Sequence, residues 1–289
     1  GMAPSTDDWK RPRPGATGYR RDALVAAALV VAALGSWLLY RTAIDQPHAP
    51  WWGALVWAVV IAGSLAFRRR FPELVALVVG ITFVVGQYVG IYEQLFSNIC
   101  LFVALYTLGA WSRNRLLATV ERILIAAGMG IWLFSVLIYQ AMTPDSTPEM
   151  SRDGLLSQFM AASLITIVTN VLYFGAAVVF GNASYTAARQ REALEQRTEE
   201  LEREREVSGR QAVALERVRI ARELHDVVAH HVSVMGLQAG AARRVLGKSV
   251  ETDPRAVDAL TQIEENAREA VDELHRMLGA LRQSDDTDA

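Results

Sequence analysis

Apolar residues fall into six uncharged runs over the first 180 residues, at 23–40, 51–67, 74–92, 95–111, 123–139 and 155–180. A hydrocarbon core about 30 Å thick needs roughly 20 helical residues to cross it, so each run predicts a membrane-spanning helix, several at the short end of the range. Aromatic residues at the run ends (Tyr40, Trp51, Trp52, Trp111, Tyr139) suit the membrane–water interfaces. Runs three and four are separated by only Glu93 and Gln94, which predicts a tight helical hairpin. One such run could be a buried helix of a water-soluble protein, but six in 180 residues argue for a bilayer.

After residue 180 the pattern changes. Residues 184–226 hold dense Glu/Arg pairs at helical spacing with no Pro and a single Gly, at 209, which predicts one long helix continuing from the sixth span. Ala187, Leu194, Leu201, Ser208 and Leu215 keep a seven-residue spacing. That seam predicts a dimeric coiled coil, with a solvated single helix as the alternative because Ala187 and Ser208 are poor core residues. From Leu215 the apolar face strengthens through Val218, Leu224, Val228 and Met235 until Gly247 stops the helix. Asp253 and Pro254 form an N-cap and first-turn pair for a second helix, whose apolar residues Val257, Leu260, Ile263, Ala267, Val271, Leu274, Leu278 and Leu281 recur every three or four positions. Two helices bury too little apolar surface to stand alone, so two copies forming a four-helix bundle, a homodimer, are expected. The fold class is all-α. The expected organisation is a tail at 1–21, a six-span domain at 22–180, a signalling helix at 181–211, a two-helix hairpin at 212–283 and an interrupted linker at 284–289.

Composition supports the division. Hydrophobic residues make up 52% and charged residues 21%, and they are segregated: no Trp, Tyr or Phe follows Tyr185. The net charge of −2 averages over unlike regions and points to no nucleic-acid partner. Loop charge is more telling. One set of loops carries Lys10, Arg11, Arg13, Arg20, Arg21, Arg68, Arg69, Arg70, Arg113, Arg115 and Arg122, whereas the other carries Arg41 and Arg152. Positive loops stay in the cytoplasm, so both termini are expected there, in a multi-pass protein of the plasma membrane. Gly1 ahead of Met2 reads as a cleavage remnant, and residues 2–21 lack the features of a removed signal peptide. The lone Cys100 excludes an intrachain disulfide and a cysteine-based metal site. No charged residue falls inside a run, which weakens a transporter reading, and the outward loops are too short for a folded ligand-binding domain.

Chemistry concentrates in the stretch ERVRIARELHDVVAHH, residues 216–231. With Arg219 to Asp226 reading RIARELHD, then His230, Ser233 and Leu237-Gln238, residues 212–283 resemble the dimerisation and histidine-phosphotransfer region of sensor histidine kinases, in the class that partners NarL/LuxR-type response regulators. The apolar half is similar to multi-span kinase sensors only loosely. A neutral imidazole can attack the γ-phosphoryl group of ATP to give a phosphoramidate that transfers readily to a carboxylate, so His225 is the expected phosphoacceptor and is expected on the solvent side of the bundle. Asp226 is placed to orient the ring or act as base, and Arg222 to pair with Asp226 or offset phosphate charge. His230, four residues after Asp226, completes the D-x-x-x-Q/H pattern that the resemblance ties to positioning water for dephosphorylating the regulator. His231, seven residues after Leu224, is expected on the core face, and His48 and His275 at the surface.

Only 64 residues follow His225, and no phosphate-binding glycine loop is among them. An ATP-binding domain is therefore expected to be absent: ATP and Mg would belong to the intact kinase, with no cofactor or metal held by these residues. The implied partners are a second copy, a receiver domain, the kinase's own ATP-binding domain and the bilayer. A catalytically inactive membrane scaffold that binds a regulator is the open alternative. A metal site built on His225, Asp226, His230 and His231 is disfavoured, because histidines five apart do not share a helix face.

Overall fold

The computed structural model describes residues 9–146, 148–247 and 253–285. All regular structure among them is helical: α1 (Ala16–Ala43), α2 (Trp51–Gly63), α3 (Pro72–Tyr88), α4 (Leu95–Trp111), α5 (Arg115–Met142), α6 (Gln158–Leu246) and α7 (Pro254–Asp285), with 3-10 turns at Ser64–Phe67 and Pro144–Ser146. The all-α expectation holds. The chain divides into two compact units, Gly1–Gln196 and Arg197–Ala289, a boundary that falls inside the expected signalling helix.

In the first unit the helices coincide with the six apolar runs. Three of them, Ala16–Ala43, Arg115–Met142 and Gln158–Leu246, are long and apolar enough to cross a membrane. The other three, Trp51–Phe67, Pro72–Tyr88 and Leu95–Trp111, are apolar but shorter, about 25 Å at 1.5 Å per residue. Helix starts follow local chemistry. Pro72 occupies the first turn of α3 with Glu73 beside it, and Asn114 caps α5 by accepting from the Leu117 N–H at 3.0 Å. The link between α3 and α4 is longer than the two residues expected. Gly90, at φ +83°, turns the chain after Tyr88, and the Ile91 N–H reaches back to the Gly86 carbonyl at 2.9 Å.

Small residues set how closely these helices approach. Ala54, Ala58 and Ala62 of α2 are fully buried, as are Ala26 and Ala33 of the neighbouring α1. A Cβ on Gly86 would lie 2.9 Å from Trp57 Nε1, and one on Gly181 of α6 only 2.8 Å from the Tyr106 carbonyl of α4. Tyr173 of α6 also accepts the Phe102 N–H at 3.0 Å, and its ring packs edge-on against Phe102.

Two polar knots are built into this apolar unit. Glu93, 0% exposed, accepts from the Phe96 and Ser97 N–H groups at 2.7 and 2.9 Å and from Ser36 Oγ at 2.8 Å, so it caps α4 and ties it to α1. Asp22, just ahead of the first apolar run, is 1% exposed and pairs with Arg68 at 2.8 Å and Arg69 at 3.0 Å. Arg68 also donates to Thr107 Oγ1 at 3.3 Å.

In the second unit α6 and α7 form an antiparallel hairpin. Arg243 pairs with Glu264 at 3.2 Å, and a Cβ on Gly236 would meet Ala267 Cβ at 3.4 Å. α6 ends at Leu246 with the Gly247 N–H on the Arg243 carbonyl, and Asp253 Oδ1 accepts the Arg255 N–H at 3.0 Å to open α7. Both ends match the expected stop and cap. The side chains of Leu274, His275, Leu278 and Leu281, and the tail 286–289, lie outside the described residues. Helical backbone continues through Ser208 and Gly209, and the exposed surface around them carries Arg191–Glu195, Arg203–Glu199 and Arg210–Glu206 pairs.

Candidate functional site

The run 216–231 lies wholly within α6. Its entry is laced by Arg219, whose guanidinium lies 3.6 Å from Glu216 and 3.5 Å from Glu223. Those three side chains are more than half exposed, so the pairs orient the surface more than they stabilise the helix.

His225 is half-buried, with Nδ1 shielded from solvent, and not on the open side of the helix as expected. The reason is helical register. Ala221, His225, Ala229, Val232 and Gly236 recur at four, four, three and four residues and form one partly buried stripe. Farther along, that stripe is the surface that meets α7 at Ala267. Asp226 and His230 are both exposed and share a face one turn apart. Arg222 is exposed too, and among the described residues no ion pair joins it to Asp226, so the expected pairing is not made.

His231 is exposed, with its ring 6.1 Å from that of His230. It does share a face with Leu224, as seven-residue spacing requires, but this single chain leaves that face uncovered: Leu224 is 60% exposed, Val227 54% and Met235 51%. His48 is half-buried, its Nε2 2.9 Å from the Ile44 carbonyl and its ring against Tyr92. No group of three or more His, Cys, Asp or Glu side chains suited to a metal ion occurs among the described residues.

Sequence reasoning missed the other half of the hairpin's polar chemistry. Glu264 of α7 bridges Arg243 across the hairpin and Arg268 one turn away at 3.0 Å. The Glu264–Arg268 spacing was visible; the link to Arg243 needed the register of α6 on α7. Gly236 and Gly240, one turn apart, remove two Cβ atoms where Ala267 and Glu264 approach.

Residues 216–286 match the family model described as histidine kinase. Through this segment the chain is similar to the histidine kinases. It is similar to sensor histidine kinase DesK of Bacillus subtilis (strain 168), 30% identical over 146 residues that cover 50% of this chain and 35% of that protein. The chain thus spans about a third of that relative's length. No solved structure matches it. The long apolar helices, beside this likeness, point to a membrane protein.

Proposed function

We propose that the chain is the membrane sensor and phosphoacceptor part of a two-component kinase, with His225 as the acceptor. The observation that carries this reading is RELHD, with His225 as its fourth residue, inside a helix of the segment that matches the histidine kinases. The imidazole nitrogen attacks the γ-phosphorus of ATP, the P–O bond to ADP breaks, and the phosphoramidate then passes to an Asp of a NarL/LuxR-type receiver domain. Asp226 orients or deprotonates the ring. Arg222, exposed one turn earlier, offsets phosphate charge, and His230 positions water when the regulator is dephosphorylated.

ATP and Mg are bound by the kinase's own ATP-binding domain, which we place outside residues 1–289. In this reading residues 212–283 form a homodimeric four-helix bundle, and the uncovered Leu224, Val227 and Met235 face supports it. The apolar unit has six spans, with the three 17-residue helices completing the set and both termini in the cytoplasm. The loop arginines support that orientation: Arg68, Arg69, Arg113 and Arg115 all sit at ends of α2 to α5 on the side of Asp22 and Asn182.

The test is phosphorylation in trans: detergent-solubilised chain, a separately made ATP-binding domain from the parental kinase, and labelled ATP. Acid-labile label in the wild type that vanishes in His225→Gln supports the reading. Label that persists in His225→Gln, or none with a demonstrably active ATP-binding domain, rejects it.

A further inference from the structure

Residues 9–11 of the N-terminal tail grip α6 just past its apolar run. The guanidinium of Arg11 stacks 3.8 Å from the centroid of the Trp111 ring, at the end of α4. The same group donates to the Ala110 carbonyl at 2.8 Å and to Ser184 Oγ of α6 at 3.3 Å. Trp9 packs edge-on against Tyr185 with centroids 5.0 Å apart, and its indole N–H donates to Glu192 at 3.2 Å. Tyr185 in turn donates its hydroxyl to the Trp9 carbonyl at 3.1 Å. Cation–π stacking combined with bonds to carbonyls and a carboxylate is a directional set of contacts, unlike a charged tail lying on a surface.

The grip selects one face of the helix. Gly181, Ser184, Tyr185, Ala188, Arg189 and Glu192 are the buried or half-buried positions there, at the spacing of a single stripe. Ala187 and Leu194, which begin the coiled-coil seam, are exposed. At 3.6 residues per turn the gripped stripe lies about 120° around the helix from that seam. Residues 9–11 can therefore hold α6 against rotation while leaving the seam open to a second copy. Close approach of Gly109 and Gly181, where a Cβ on Gly109 would lie 3.2 Å from Gly181 Cα, gives α6 a pivot directly beneath the grip.

We propose that residues 9–11 form an intramolecular strap that fixes the rotational phase of α6 where it leaves the apolar unit, and that releasing it shifts the balance between phosphorylation at His225 and dephosphorylation of the regulator. The regulatory part rests on the phosphoacceptor reading; the grip itself does not. The test uses the full chain in lipid nanodiscs as wild type, Trp9→Ala, Arg11→Ala and, as a control that removes an exposed charge from the same tail, Arg13→Ala. Hydrogen exchange of amides 182–192 is expected to quicken at least tenfold in the first two variants and to stay unchanged in Arg13→Ala. With an ATP-binding domain and a receiver domain supplied in trans, the ratio of label gained to label lost is expected to change at least threefold in the same two variants only. Unchanged exchange overturns the strap, and faster exchange with an unchanged ratio overturns its regulatory role. A wild type that takes no label identifies a failure of the phosphoacceptor reading, which removes the regulatory claim, while the exchange data judge the grip separately.

Discussion

The two units expose large apolar side chains to a similar degree, yet for opposite reasons. In the first unit Leu24 and Ile131, each about three-quarters exposed, project from helices that are apolar over their length, beside a core of fully buried Ile61, Leu65, Leu101 and Leu105. Lipid covers such a surface. In the second unit Leu224, Val227 and Met235 share one face and are each more than half exposed, but they lie in a segment rich in Glu, Arg, Asp and His with no Trp, Tyr or Phe. Water is the solvent there, so that face needs a protein partner. Exposure alone identifies neither case; the residues around the exposed side chain do. The polar groups divide in the same way. Asp22 and Glu93 are buried and multiply bonded, whereas the ion pairs between residues 191 and 223 sit in solvent.

This contrast can be broken at its strongest point first. Asp22→Ala leaves Arg68 and Arg69 partly buried without their counter-charge, and is expected to cost about 3–5 kcal/mol in a reversible unfolding titration in detergent. Restoration of much of that loss by Asp22→Leu combined with Arg68→Met would sharpen the account. Leu224→Lys is expected to shift the chain from dimer to monomer by sedimentation, since each Leu side chain withdrawn from water contributes about 2 kcal/mol. The same change at lipid-facing Leu24 is expected to leave the dimer intact. Gly236→Leu is expected to cost about 1–3 kcal/mol by forcing α7 away at Ala267, whereas Gly236→Ala, whose Cβ makes an ordinary contact, is expected to be neutral or to stabilise by up to about 1 kcal/mol. Glu264→Gln, with both arginine partners well exposed, is expected to cost no more than about 1 kcal/mol in thermal unfolding.

Much of the fold was legible because its signals are local. Apolar run length located all six helices of the first unit, and Gly247, Asp253 and Pro254 marked the turn of the hairpin. The turn after α3 was misplaced because the residues around Gly90 are as apolar as the helix they end, and only its positive φ reveals the break. What escaped was long-range. Asp22 reads as a flanking charge until α2 brings Arg68 and Arg69 beside it, and Glu93 reads as a connector until Ser36 is found against it. At the candidate site, the residue types of RELHD were informative, but exposure was not. Neighbours in sequence, Leu224 and Asp226, suggested an open His225, while the stripe through Ala221 and Ala229 decides its half-buried position.

Three histidines, 225, 230 and 231, lie within two turns of α6, and the central claim is that the first of them carries the phosphate. Peptide mapping of the phosphorylated chain under alkaline conditions, on wild type and on His225→Gln, His230→Gln and His231→Gln, tests this most directly. Phosphate is expected on His225 in the wild type, retained in the His230 and His231 variants and absent from the His225 variant. Phosphate on His230 or His231, or retained when His225 is replaced, would contradict it.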